Sequence, residues 1–168
     1  GQGADLILLN ESVGNEVLAF HQKFPDYRVT PLRKLEFLSQ RLGLGSIHIK
    51  DEAQRFGLNA FKGLGGSYAM GKYLAALLER DINTLSFAEL NSPVIKARIK
   101  DIVFVTATDG NHGRGVAWAA EQLGLRAVVY MPKGSSPVRA QNIRRHGAEC
   151  TITELNYDDT VRLAAKTA

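Results

Sequence analysis

Cysteine is nearly absent: Cys150 stands alone, which excludes an internal disulfide framework and suits a reducing compartment. No apolar run approaches the roughly 20 residues a membrane span needs, and no charged-then-apolar leader opens the chain. A cytoplasmic protein without a membrane partner is therefore expected. Strong charge of one sign is missing as well. The 21 Lys plus Arg exceed the 17 Asp plus Glu by a net +4 over 168 residues, too mild an excess to indicate a nucleic acid. The densest basic stretch, Arg139 with Arg144, Arg145 and His146, has no aromatic residue for base stacking and reads as a solvated helix face. His21, His48, His112 and His146 show no zinc-type spacing with Cys150, so no metal is expected. With 45% hydrophobic and 23% charged residues, the composition is that of an ordinary globular domain and too apolar for disorder.

The two halves differ in clarity. Residues 1–24 mix short apolar patches with Gly14 and show no clean period. Tyr27 to Leu32 reads as extended and is followed by a helical pattern from Leu32 to Leu42, closed by Gly43. Ile47 to Lys50 reads as a short strand, and Phe61 to Arg80 as a long helix. Ser86 to Leu90 and a segment opened by Pro93 are short helices. The β-branched run Asp101 to Thr106 has the pattern of a strand buried on both faces. A helix over 113–123, a strand over 127–131, a helix from Ser136 and Pro137 to Gly147, a strand over 148–153 and a helix over 158–168 follow. Strand–helix alternation with short connections predicts a parallel sheet with right-handed crossovers, an α/β fold. The sequence stops within that last helix without a breaker, as a piece of a longer polypeptide would.

Two segments carry chemistry. Lys62 stands at the start of a predicted helix, where the macrodipole disfavours a cation and favours the neutral, nucleophilic amine. Gly63, Gly65 and Gly66 follow at once, each costing about 1 kcal/mol against alanine inside a helix. That cost points to close approach of another backbone or of a flat ligand, or else to plain helix–helix contact beside a solvated lysine. The second segment, Thr108-Asp109-Gly110-Asn111-His112-Gly113-Arg114-Gly115, follows the β-branched strand, where α/β folds bind ligands. Its backbone N–H groups suit an anion, and Asn111 can donate and accept. The spacing is not the dinucleotide fingerprint, which disfavours a nucleotide-binding domain. Asp109 reads either as a functional acid or as a helix cap. His112 reads as structural support for the loop, and Trp118, Tyr68 and Cys150 as core packing.

Taken together, the segments resemble the fold-type II pyridoxal-phosphate (PLP) enzymes. Ala60-Phe61-Lys62 followed by glycine matches the family's Ser-Phe-Lys pattern, and the 108–115 loop matches its Ser-x-Gly-Asn-His-x-x-Gly. Thr30-Pro31-Leu32, Lys50-Asp51-Glu52, Met131-Pro132 and Gly147-Ala148-Glu149 match in order and spacing as well. The resemblance implies a three-layer parallel-sheet fold. Residues 1–62 would be the N-terminal segment of a large domain, and 63–168 most of a small parallel α/β domain continuing into further chain. It implies PLP held by Lys62 as an internal aldimine, Phe61 against the pyridine ring and Asn111 on the phenolic oxygen.

Two departures narrow the resemblance. Asn59-Ala60 replaces the usual Gly-Ser, and Asp109 stands where dehydratases generally carry a small hydroxyl or glycine. The strings Gln54 to Lys62, Thr106 to Trp118 and Asn156 to Leu163 resemble the branch acting on 2,3-diaminopropionate. What that branch implies is α,β-elimination of this small amino acid to pyruvate and ammonia by a homodimer. It also implies Asp109 as the base for the D-isomer, with a second base beyond residue 168. The family's glycine-rich phosphate loop and its partner for the pyridine nitrogen are not found by residue 168. The alternatives are a threonine or serine dehydratase-like enzyme, and a truncated non-catalytic α/β module serving oligomerisation.

Overall fold

The computed structural model describes residues 10–168; the first nine residues of the segment without a clean period lie outside them. Helix α1 (Glu11–Gln22) is capped by Asn10, whose side chain accepts the N–H of Val13 at 2.9 Å. Sequence periodicity shows no helix in this stretch. The reason is its narrow contact face, since only Phe20 and His21 are buried in it.

The helix expected over 32–42 is corrected to two elements, strand β1 (Leu32–Lys34) and helix α2 (Glu36–Arg41). The apolar spacing there was no buried stripe: Leu32 is 66% and Phe37 74% exposed. Antiparallel pairing of β1 with β2 (His48–Lys50), Leu32 opposite Lys50 and Lys34 opposite His48, overrides the helical pattern. A 3-10 segment over Glu52–Gly57, kinked at Arg55 and Phe56, leads to α3 (Lys62–Leu77), which Leu78 closes. The short helices α4 (Phe87–Leu90) and α5 (Pro93–Ile99) fall where the sequence placed them. A reciprocal capping box between Ser86 and Glu89 fixes the first, and Ser92 with Pro93 opens the second.

The second half is a three-stranded parallel sheet in the order β3 (Val103–Ala107), β4 (Arg126–Met131), β5 (Glu149–Ile152). Helix α6 (Asn111–Leu123) connects the first pair and α7 (Pro137–Arg144) the second, while α8 (Tyr157–Thr167) follows β5. Helices α6 and α7 pack on one face and α8 crosses β3 and β4 on the other, giving the three layers expected. Gly124 ends α6 in the left-handed region at φ 66°, as a C-cap glycine does.

Helix α6 is the core of the molecule. Val116, Ala117, Trp118, Ala119, Ala120 and Leu123 are all buried, between the sheet and α3. Phe20, Phe24 and Leu58, from before residue 62, share this hydrophobic core with residues after it. Strand β3 departs from expectation. It is half-buried along its whole length rather than enclosed on both faces, because it lies at the edge of the described sheet with open pockets against it.

Candidate active site

The site begins with the approach of α6 to α3. A Cβ added at Gly115 would lie 2.8 Å from the nitrogen of Gly63 and 2.9 Å from the carbonyl of Lys62, so only glycine lets α6 rest on that peptide. Gly63 in turn faces Leu58 and the ring of Trp118, with 2.8 Å and 3.4 Å left for an added Cβ. The close backbone approach expected from the glycines is therefore present, and it sets Lys62 beside the start of α6.

The turn before the lysine is held just as closely. Phe56 stacks on Trp118 with ring centroids 4.3 Å apart. Phe56 and Asn59 occupy left-handed backbone, φ 50° and 53°, which non-glycine residues adopt only where surroundings enforce it. Arg55 supplies part of that enforcement. Its buried guanidinium donates to Glu52 at 2.8 Å and to the Arg28 carbonyl at 2.8 Å. From the other side, Arg114 donates to the carbonyl of Leu58 at 3.0 Å.

Lys62 is the first residue of α3, and its ammonium makes no hydrogen bond or ion pair among the described residues. With Phe61 it lines a pocket of about 510 Å³ between the first turns of α3, strand β3 and the start of α6. The walls are mainly apolar, including Met70, Tyr73, Phe104 and Val116, and the α3 wall is lowered at Gly65 and Gly66. A pocket of that size and chemistry, with one unpaired amine, fits an aromatic ring bearing an aldehyde. His112 lines the same pocket and sits 3.1 Å from the Thr106 hydroxyl. Partial burial, then the nearby Lys62 ammonium, push its imidazole below the ordinary value. His112 thus faces the lysine as well as supporting the loop.

The other expected residues lie in this loop but not among the pocket-lining residues. Asn111 is exposed at the first position of α6. Asp109 is exposed too; its carboxylate makes no hydrogen bond or ion pair among the described residues, while its carbonyl accepts from Arg139 at 3.1 Å. The capping alternative for Asp109 is set aside by Thr108, a residue sequence reasoning passed over. The Thr108 hydroxyl, 1% exposed, accepts from the N–H of Gly110 at 2.9 Å and of Gly113 at 3.0 Å. A threonine before a glycine-rich helix start is itself a capping signal, so Thr108 was findable. Arg114 and Arg139 were not, because their partners are 56 and 30 residues away. Thr108 leaves the N–H groups of Asn111 and His112 without protein acceptors among the described residues, open to an anion. The described residues gather no cluster of three metal-ligating side chains.

The family model of the pyridoxal-phosphate-dependent enzymes matches residues 23–168. The chain belongs to that family. It is 77% identical over 168 residues to a diaminopropionate ammonia-lyase of Salmonella typhimurium, covering 100% of this chain and 42% of the relative. The crystal structure of the Escherichia coli diaminopropionate ammonia-lyase in complex with D-serine superposes with a TM-score of 0.90 at 50% identity. It covers 96% of this chain and 40% of that one. The same enzyme in complex with an aminoacrylate–PLP azomethine intermediate gives 0.87 at 49% identity, covering 96% and 39%. The chain thus spans less than half the length of these relatives, over a region holding the unpaired lysine and the asparagine loop.

Proposed function

We propose that the protein is a PLP-dependent lyase that converts 2,3-diaminopropionate and water to pyruvate and two molecules of ammonia, with Lys62 holding the cofactor. One observation carries this reading. An unpaired lysine lines an apolar pocket in a chain 77% identical, along its whole length, to a diaminopropionate ammonia-lyase. When bound, PLP supplies an electron sink for the carbanion left by loss of the α-proton.

The chain's own residues orient and move protons around that sink. Lys62 would anchor the cofactor, Phe61 would pack against its ring, and the Asn111 carboxamide would donate to its phenolic oxygen. The free N–H groups of Asn111 and His112 receive the substrate carboxylate at the N-terminus of α6. The imidazole of His112, shifted below its ordinary value by partial burial and then by Lys62, disfavours a second positive charge in the pocket. Asp109 takes the α-proton of the D-isomer. A base for the L-isomer, the phosphate loop and the partner of the pyridine nitrogen belong to the remaining length that the relatives have. Residues 1–62 are assigned to the large domain and 63–168 to the small one, in a cytoplasmic homodimer. The described residues contain no helix long and apolar enough to cross a membrane.

The test is turnover of the separate enantiomers by the holoenzyme. Asp109→Asn is expected to lower D-isomer turnover at least about 100-fold, the usual weight of a general base, and to leave L-isomer turnover within about threefold. Full D-isomer turnover would remove Asp109 from the mechanism.

A further inference from the structure

Nothing among the described residues holds the Asp109 carboxylate by its oxygens; what fixes this residue is its backbone. On one side Thr108 fastens the peptide that follows, through the Gly110 N–H at 2.9 Å. On the carbonyl of that same peptide Arg139, from the first turn of α7, donates Nη1 to the Asp109 oxygen at 3.1 Å. The arginine stem also lies across Gly110, where an added Cβ would come within 3.2 Å of Arg139 Cδ and 3.6 Å of Nε. A side chain at position 110 would crowd the arginine stem enough to shift it by a few tenths of an ångström. Helix α7 is a firm base for this contact, since Ala140, the next residue, and Ile143 are fully buried.

We propose that Arg139 is a positioning residue that aims Asp109 at the substrate, and so sets how well the enzyme handles the D-isomer. The proposal rests on the reading of Asp109 as the D-isomer base. Thr108 also holds Gly113, so it supports Asn111 and the whole helix start, whereas the hydrogen bond of Arg139 among the described residues goes to Asp109. Arg139 does not line the cofactor pocket, so its loss leaves that pocket intact and releases the carbonyl end of the Asp109–Gly110 peptide. Misplacing a reacting group by about 1 Å costs up to about 100-fold in rate. Chemistry at the L-isomer, which does not use Asp109, is spared. A general-purpose binder of the substrate carboxylate would affect both enantiomers alike.

The experiment compares wild type, Arg139→Met, Arg139→Lys and Asp109→Asn holoenzymes on D- and L-2,3-diaminopropionate. Methionine keeps the stem over Gly110 and removes the donor; lysine restores a single charged donor. Arg139→Met is expected to lower kcat on the D-isomer about tenfold or more while L-isomer kcat stays within about twofold, with Arg139→Lys recovering part of the loss. L-isomer turnover of the same sample reports folding and cofactor loading. Deuterium uptake at the α-carbon of D-alanine in D2O, which has no leaving group, is expected to slow in parallel, because it reads proton removal alone. In the cofactor-free protein, amide hydrogen exchange is expected to rise in the peptide over 108–112 and not in that over 62–77. Equal loss on both enantiomers, a shared rise in KM with unchanged kcat, or an unchanged D-to-L ratio would overturn the proposal. If Asp109→Asn itself keeps D-isomer turnover, the reading of Asp109 fails instead, which separates the two.

Discussion

At the scale of single residues, the position of Lys62 depends on what Gly115 lacks. An added Cβ there meets backbone atoms of Lys62 and Gly63 at 2.8–2.9 Å, and backbone cannot swing aside as a flexible side chain can. Gly65 is the natural control, being in the same helix as Lys62 with nothing within 4 Å of an added Cβ. Gly115→Ala is expected to lower the free energy of unfolding by about 1–3 kcal/mol. Gly65→Ala is expected to be neutral or to stabilise by up to about 1 kcal/mol through helix propensity. Urea unfolding of the two variants checks this, and equal midpoints would mean that α6 does not rest on the lysine peptide. The sequence made the glycines conspicuous but not their separate jobs: Gly115 admits a backbone, whereas Gly65 and Gly66 line the pocket.

At the scale of elements, the docking of α1 beneath the first turn of α3 has a titratable centre. His21 is buried, with Nδ1 2.7 Å from the Val17 carbonyl and Nε2 2.9 Å from the Leu64 carbonyl and 3.1 Å from the Ser67 hydroxyl. Burial above all, with a smaller contribution from the Arg55 charge, pushes its imidazole below the ordinary value of 6.5. Below about pH 6.5 the unfolded chain therefore takes up a proton that folded His21 resists, and stability falls as pH drops until the folded pKa is reached. His112 is shifted in the same direction and adds to the slope. Denaturant midpoints measured at about pH 7.5 and 5.5 should fall for the wild type and fall less for His21→Asn; parallel drops would contradict the assignment. Helix α1 is also where reading by period fails. A helix burying Phe20 and His21 alone shows no stripe, and in β1 and α2 exposed leucines and Phe37 imitate one. The strands and helices after residue 100 were legible because the parallel β–α alternation buries Val129, Met131, Leu123 and Ile143 completely, which writes their pattern into the sequence. In the site, Lys62 and Phe61 stood out by their glycine setting. Thr108 and the arginine contacts did not, because hydrogen bonds across many residues leave no local period.

At the scale of the whole molecule, one parallel sheet with α6 at its centre carries the lysine and the asparagine loop on neighbouring helix starts, and β3 borders the pocket they share. That arrangement places ligand chemistry at the carboxyl end of a parallel strand, where α/β folds place it generally. The claim on which the rest depends is that Lys62 holds PLP. It is tested most directly by reducing the full-length protein with borohydride in the presence of PLP, then locating the modification by intact and peptide mass. Reduction fixes the carbon–nitrogen link between the lysine amine and the cofactor aldehyde as a stable amine. The account predicts one pyridoxyl group per chain, on Lys62, lost in Lys62→Ala. An unmodified protein, or a modification spread over surface lysines and unchanged in Lys62→Ala, would contradict it and favour a non-catalytic α/β module.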